Sequence, residues 1–458
     1  MPRSSFIRKT DSYKVTHFPQ YPDGTTQVSS YFESRGGYFD ATTFFGLQYI
    51  LMKHLCGKVI NLEDIKKWER RFARHFGNRK LFNKAGWLHI LEKHGGKLPL
   101  HIKAIPEGTT VPISNALMTI DNTDPEVPWL TNYAESVLSH VWYPMTVATN
   151  SRAMRAMIFQ NLVETGDPSG IDFKVVDFGY RGSTCDEAAA IGGSAHLVSF
   201  MSTDNLAAIE LLDDYYGAPM AGFSIPASEH STMTSWGRER EVDAYRNMLT
   251  RYPTGFVAVV SDSYNVYHAC KNLWGKELKR MVMDRQGVLV IRPDSGDPRE
   301  TLPKILKIVG DAFGYEKNKK GYKVIAPCVR LIQGDGINYQ STGEILAVLK
   351  RRHWSGDNLA FGSGGGLLQK FDRDTQKCAI KCSAVEIDGE WHDDVCKDPI
   401  TDHGKRSKAG RLILVADPKL GFRTVRDGEG KNNLKTAFLN GELGNFQRLT
   451  TIRKRALI

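Results

Sequence analysis

The chain has no apolar run approaching the roughly 20 residues that a membrane-spanning helix needs, and no low-complexity tract interrupts its 458 residues. A secretory signal is not expected either, because Met1 to Tyr13 carries basic residues but no apolar block follows them. Cysteine is sparse, seven residues scattered between Cys56 and Cys396, and an odd, dispersed set in a chain of this length argues against a disulfide framework. Cys378 and Cys382 stand four apart, yet no second Cys/His pair follows at zinc-ligand spacing, which argues against structural zinc. These absences lead to an expectation of a cytoplasmic protein with no membrane segment. Basic runs are scarce as well. The formal charge is +10, but the only dense stretch is Lys317–Lys323 (KNKKGYK), which reads as a solvated loop. A nucleic-acid binder would concentrate its cations with interleaved aromatics, so dispersed positive charge points to small, phosphate-rich substrates.

What the sequence does have is a rhythm. Hydrophobic residues make up 41% and charged residues 24%, an ordinary globular balance, and the length implies two or three domains. From about residue 172 a short apolar strand, a Gly/Asp/Ser/Arg turn and a helical stretch recur. Strands are predicted at Phe173–Phe178, Leu197–Met201, Gly222–Ile225, Phe256–Ser261, Val288–Arg292, Val329–Gln333 and Asn358–Phe361. Their apolar residues are continuous, as in parallel strands buried on both faces. Helices are predicted at Asn205–Tyr216, Ser231–Thr250, Tyr264–Trp274, Arg299–Phe313 and Thr342–Arg352. Nearly every strand ends in a polar turn. An open sheet would equip only the strands beside its switch point, whereas a barrel brings all strand ends to one mouth. The expected architecture is therefore α/β: an irregular β/α barrel of about seven parallel strands over residues 151–379. Residues 1–150 and 380–458 break the rhythm and are expected to form one smaller β-rich α+β domain from both chain ends.

The turns carry the candidate chemistry. In FGSGGGLL (Phe361–Leu368), glycines including Gly364 and Gly365 allow backbone N–H groups to face an anion ahead of a helix; the alternative is a tight packing turn. RPDSGDP places Arg292, a bidentate phosphate grip, two residues from Asp294, so strand periodicity puts both on one side. QGDG adds Gly334 and Asp335, and SDS adds Asp262. A single carboxylate of this kind is more often a helix cap; three at successive strand ends suit sugar or Mg²⁺ binding. DFGYRG offers Phe178 and Arg181, a ring and a guanidinium that suit a planar heterocycle beside a phosphate, although Phe178 fits a core equally well. PASEHST sets Glu229 beside His230, acid/base or phospho-acceptor candidates at a barrel mouth. Arg373, Lys381, Lys397 and Lys405 follow the barrel, each by itself an ordinary surface cation.

Taken in order, these blocks resemble the nicotinamide phosphoribosyltransferases. The resemblance runs through DSYKVTH (Asp11–His17), YFESR (Tyr31–Arg35), DFGYRG, SAHLVSFMSTD (Ser194–Asp204), PASEHST, VVSDSYNVY (Val259–Tyr267), IRPDSGDP, IQGDG, FGSGGGLLQK and CKDPITDHGKRSKAGR (Cys396–Arg411). It implies a type II phosphoribosyltransferase fold and a homodimer whose active sites are completed by the partner subunit. The implied substrates are nicotinamide and phosphoribosyl pyrophosphate with Mg²⁺, and ATP as a coupled co-substrate. Phe178 resembles the residue that stacks on the nicotinamide ring, with Tyr13 of the other subunit on the opposite face. Asp204 resembles the acceptor of the carboxamide NH₂. Arg181 and Arg292 resemble groups bordering the ring and phosphate, and Asp294, Gly334 and Asp335 the ribose and 5′-phosphate contacts, with Gly364 and Gly365 as a phosphate cradle. Arg35, Arg373, Lys381, Lys397 and Lys405 resemble the pyrophosphate cations. His230 resembles the histidine that ATP phosphorylates, with Asp262 supporting it. Two positions depart: Ala379 replaces a serine, and Val176 a histidine that relatives carry.

Three rivals are distinguishable. A nicotinate or quinolinate transferase on the same fold conflicts with Asp204, because a substrate carboxylate would meet a carboxylate. An idle binding protein would have no need to keep Arg292, Asp294 and His230 together. A nucleic-acid binder lacks its basic stripe and would show itself by retention on DNA at moderate salt.

Overall fold

A computed structural model describes residues 5–401 and 406–457. The chain divides into two compact units, one of Met1–Thr149, Asp214–Gly217 and Phe371–Leu457, the other of Asn150–Asp213 and Ala218–Lys370. Residues 371–379, assigned to the barrel from sequence, group with the first unit, because Cys378 opens a strand paired with Thr25–Ser34.

The second unit holds six parallel strands: β1 (Val175–Asp177), β2 (Ser202–Thr203), β3 (Thr254–Val260), β4 (Gln286–Arg292), β5 (Val329–Gln333) and β6 (Leu359–Ser363). Their spatial order is β2-β1-β6-β5-β4-β3, with every ladder parallel. One face gathers Ala258, Val290 and Ile332 with Val176, Phe178, Val288 and Ala360. Val257, Val259, Leu289, Ile291 and Leu331 alternate with them and are also buried. Burial on both faces explains why the strands read as unbroken apolar runs. Val176 is therefore a packing residue.

The expected seventh strand at Gly222–Ile225 forms no continuous ladder. Phe223 bridges Ser202 of β2, and Ala227 bridges Ala258 of β3, each as a single parallel bridge. Between them Pro226 accepts from the Ala258 N–H at 2.9 Å but has no N–H to return. The predicted strand Leu197–Met201 is a turn closing the helix Asp186–His196, with Leu197 N–H bonded to Gly193 O at 3.1 Å. Its residues are apolar because Leu197, Val198 and Phe200 are buried in that turn. The helix expected over Ser231–Thr250 is two, His230–Thr234 and Glu241–Arg251, separated at Gly237, whose φ of 81° an α-helix cannot hold. Pro298 does begin its helix, Pro298–Phe313. The Lys317–Lys323 run lies in the hairpin of Tyr315–Lys317 with Lys323–Ile325. There Lys320 caps the end of the helix Trp142–Thr165, donating to Val163 O at 2.5 Å and Gly166 O at 2.8 Å.

The first unit is built on a seven-stranded antiparallel sheet. Thr25–Ser34, Leu100–Ala104 and Asn115–Asn122 come from early in the chain, and Cys378–Ile387, Glu390–His392, Lys435–Leu439 and Glu442–Leu443 from late. Among the described residues no helix is long and apolar enough to cross a membrane.

Candidate active site

Parallel strands deliver their C-terminal turns to one end of the sheet, and there the second unit encloses a cavity of about 790 Å³, within the roughly 300–1,000 Å³ usual for small-molecule sites. Phe178, Arg181 and Asp204 line it with Glu229, His230 and Asp262. Arg292, Asp294, Gly334, Asp335, Gly364 and Gly365 line it as well. These twelve positions are spread over nearly two hundred residues of sequence, and the sheet brings them together.

On one side the Phe178 ring lies against Gly362, where an added Cβ would fall 1.9 Å from the ring. The Arg292 guanidinium sits over that ring, 5.2 Å from its centroid, a cation–π contact that fixes the wall of a flat slot. Asp204 faces the same space and accepts a hydrogen bond from the Ser224 hydroxyl. Burial by the surrounding walls pushes the Asp204 carboxyl above the usual range, with Ser224 and Arg292 partly offsetting it.

Next to that ring the lining is polar. Arg292 Nη2 lies 2.6 Å from Asp294 Oδ2, while Arg292 Nε and Asp294 Oδ1 are buried without a hydrogen-bond partner. Buried polar atoms left unpaired cost about 1–3 kcal/mol each, so this pair is arranged to receive a ligand. Gly334 makes the room, since a Cβ there would stand 2.9 Å from Asp294 Oδ1. Gly364 and Gly365 open a short helix, Gly365–Leu368, whose first N–H groups have no carbonyl one turn behind them.

A third group is centred on Asp262, which is only 3% exposed. Its Oδ1 accepts from His230 Nε2 at 3.0 Å and its Oδ2 from the Ser295 N–H at 2.7 Å. A carboxylate can only accept, so it holds the proton on Nε2 and leaves His230 Nδ1 with its lone pair facing outward. Glu229 differs from its neighbour. It is the N-cap of His230–Thr234 and forms a capping box with Thr232, and its carboxylate also receives the Ser231 hydroxyl. The sequence placed Glu229 with the catalytic groups; its bonds here are those of a cap that aims His230.

Two further residues shape the site. Asp177 is fully buried and receives Gly179 N–H at 2.7 Å and Asn205 Nδ2 at 3.0 Å. Burial, and secondarily Asp204, push its carboxyl up to about 6 against those bonds. Gln333 spans the neighbouring turns, donating to Asp335 O at 3.1 Å and Asp294 O at 3.4 Å. Both lie inside motifs already noted, DFGYRG and QGDG, where the signal was a polar residue at a strand position otherwise buried.

The profile of the Nicotinate phosphoribosyltransferase (NAPRTase) family matches residues 173–442, and that of the Nicotinamide phosphoribosyltransferase N-terminal domain matches residues 5–102. A nicotinamide phosphoribosyltransferase of Xanthomonas campestris pv. campestris is 48% identical over 464 residues, covering 99% of this chain and 98% of that protein. One from Acinetobacter baylyi is 32% identical, covering 98% and 96%. The chain belongs to the nicotinamide phosphoribosyltransferases. It is thus an enzyme of the pentosyltransferase class. Among solved structures, the nicotinate-nucleotide pyrophosphorylase of Pyrococcus furiosus superposes with a TM-score of 0.58 at 14% identity, covering 98% of this chain and 94% of that one. Human nicotinic acid phosphoribosyltransferase gives 0.54 at 14%, covering 98% and 92%. At such identity the likeness is one of fold.

The remaining described residues that the nicotinamide phosphoribosyltransferase motifs single out lie in the first unit. Lys381, on the strand beside Tyr31, is half buried. Burial lowers its ammonium below the usual lysine range, and the nearby charges of Arg35, Lys397 and Arg373 lower it further against Glu135. Lys381 therefore feels the charges of all three of these cations. Arg35 Nε is buried without a partner, and Lys397 is held in its loop by paired bonds with Ser407, each 2.9 Å. Tyr13 is 58% exposed on the turn Ser12–Thr16. Lys405 lies outside the described residues.

Proposed function

We propose that the chain transfers the phosphoribosyl group of phosphoribosyl pyrophosphate to the ring nitrogen of nicotinamide. Pyrophosphate departs and nicotinamide mononucleotide forms, in NAD salvage. The observation that carries this reading is Asp204 in the slot beside Phe178. As an acceptor it pairs with a carboxamide NH₂. Facing a nicotinate carboxylate at about 4 Å it would cost about 4 kcal/mol at an effective dielectric of about 20, near a thousandfold in selectivity.

In this reading Phe178 holds one face of the pyridine, and Tyr13 of a partner subunit covers the other in a homodimer. Stacking aligns the ring nitrogen with ribose C1. Arg292, Asp294, Gly334 and Asp335 hold the ribose and its 5′-phosphate, with the N–H groups of Gly364 and Gly365. As the C1–oxygen bond breaks, negative charge grows on the pyrophosphate, and Arg35, Arg373, Lys381, Lys397 and Lys405 stabilise it. Mg²⁺ takes oxygen ligands, and the unpartnered Asp294 Oδ1 with Asp335 suits it; when bound it would supply further charge neutralisation. His230, oriented by Asp262, takes the γ-phosphoryl group of ATP on Nδ1 and so couples ATP hydrolysis to product formation. The setting is the cytoplasm.

The test compares nicotinamide with nicotinate, each with phosphoribosyl pyrophosphate and Mg²⁺, with and without ATP, across pH. Nicotinamide is expected to be used selectively, and faster with ATP. Selectivity narrows as pH falls, because Asp204 protonates above the ordinary carboxylate range and the repulsion disappears. Preferential use of nicotinate at neutral pH would overturn the assignment.

A further inference from the structure

The helix Lys84–His94 and the turn after the strand Asn115–Asn122 meet at a cluster that phosphoribosyl transfer does not use. Asp124 is 1% exposed, and its single oxygen Oδ2 faces His94 Nε2 at 2.5 Å, His89 Nε2 at 2.8 Å and Lys93 Nζ at 3.2 Å. Its other oxygen accepts only the Glu126 N–H, at 3.0 Å. A carboxylate oxygen has two lone pairs, so three donors converge on an acceptor with room for two. The imidazole and carboxylate ligand atoms all lie within 4.8 Å of one another. Both histidines keep about a quarter of their surface exposed, which leaves a route for water.

We propose that His89, His94 and Asp124 form a site for a divalent transition-metal ion of the zinc type. Two imidazoles and a carboxylate are a preferred set for such ions. Neighbouring ligands around tetrahedral zinc stand roughly 3.3 Å apart, given bonds of about 2.0 Å, so each imidazole opens from Asp124 by less than about 1 Å, while the two imidazoles, within 4.8 Å of each other, close by at most about 1.5 Å. On binding, each imidazole gives up its Nε2 proton to solvent and carries its remaining proton on Nδ1, so that the Nε2 lone pair faces the ion. The ion replaces the two N–H donors at Asp124. The Lys93 ammonium, more than half exposed, swings into solvent, and water completes the coordination. The ion would then tie the end of Lys84–His94 to the turn at Asp124, a clamp within the first unit.

The experiment uses full-length protein without an affinity tag, stripped with chelator, dialysed against Zn²⁺ and assayed for metal by mass spectrometry. Co²⁺ is then titrated and its visible absorption followed. One ion per chain and the intense band of four-coordinate cobalt are expected, together with a melting temperature that rises with Zn²⁺. Loss of an outer-shell partner alone costs roughly 10–100-fold in affinity, so the His89→Gln, His94→Gln double variant is expected to lose more than ~100-fold, and the zinc-dependent rise in melting temperature with it. A wild-type chain that retains no zinc overturns the proposal, whatever the variants do. So does equal cobalt binding by wild type and the double variant, or by a His94→Gln single variant if the double fails to fold.

Discussion

Asp262→Asn is the perturbation that separates a phospho-acceptor histidine from a merely exposed one. Asp262 is almost wholly buried and holds His230 Nε2 at 3.0 Å and the Ser295 N–H at 2.7 Å. An asparagine can still accept from Ser295 through its amide oxygen, but then presents its NH₂ to His230. The favourable tautomer becomes the one with its proton on Nδ1, where the lone pair that would attack ATP now resides. Hydrogen bonds to a charged group contribute about 1.5–3 kcal/mol, and at about 1.4 kcal/mol per decade their loss slows His230 phosphorylation by roughly 10–150-fold. The assay is incorporation of acid-labile label from γ-labelled ATP, run beside the ratio of nicotinamide mononucleotide formation with ATP to that without. That ratio is expected to fall towards one. Because the substitution is nearly isosteric, a melting temperature close to wild type rules out collapse of the turn. Incorporation within about threefold of wild type would refute the claim that Asp262 sets the reactive nitrogen.

Gly334→Ala places a methyl group 2.9 Å from Asp294 Oδ1 and 3.2 Å from Arg292 Nε, so the pair must shift. A misplacement of about 1 Å can cost ~100-fold, and kcat/KM for phosphoribosyl pyrophosphate is expected to fall by roughly 10–100-fold with little change in melting temperature; an unchanged kcat/KM would mean the pair does not touch substrate. Asp177 makes a prediction about stability. Its carboxyl is held near 6, above the 3.8 of the unfolded chain, so between those values the folded state binds the extra proton and stability from this group falls as pH rises, by about 3 kcal/mol in all. Urea unfolding of wild type and Asp177→Asn across that window is expected to give curves that diverge by this order, and parallel curves would show that Asp177 is not so perturbed.

Much of the cluster at the strand ends was legible because parallel strands encode themselves redundantly. Val329–Gln333 reads as a strand from burial on both faces, and Arg292 and Asp294 stand two apart, so one periodicity argument places both. Failures came where tertiary packing overrode local pattern. Leu197–Met201 is as apolar as a strand, but a buried turn needs apolar residues too. Gly222–Ile225 reads as a strand, yet Pro226 reduces it to single bridges. Glu229 beside His230 reads as a catalytic pair, and the structure adds that Glu229, which lines the same cavity, also caps the helix that His230 opens. Asp177 and Gln333 are not legible in the sequence, because a buried polar side chain announces itself only through the partners it finds.

The sequence by itself determined the strand–turn–helix rhythm, the turns that bear chemistry and the family, because each is written in contiguous residues whose types and spacing have a direct physical meaning. Only the tertiary structure decided which side chains share a space. Asp262 chooses the nitrogen on His230 across 32 residues, and Gly334 makes room for Arg292 and Asp294 from another strand. Asp124 gathers His89 and His94 across 35 and 30 residues. Such pairings arise from the register of strands and the docking of helices, to which no single stretch of sequence is sensitive.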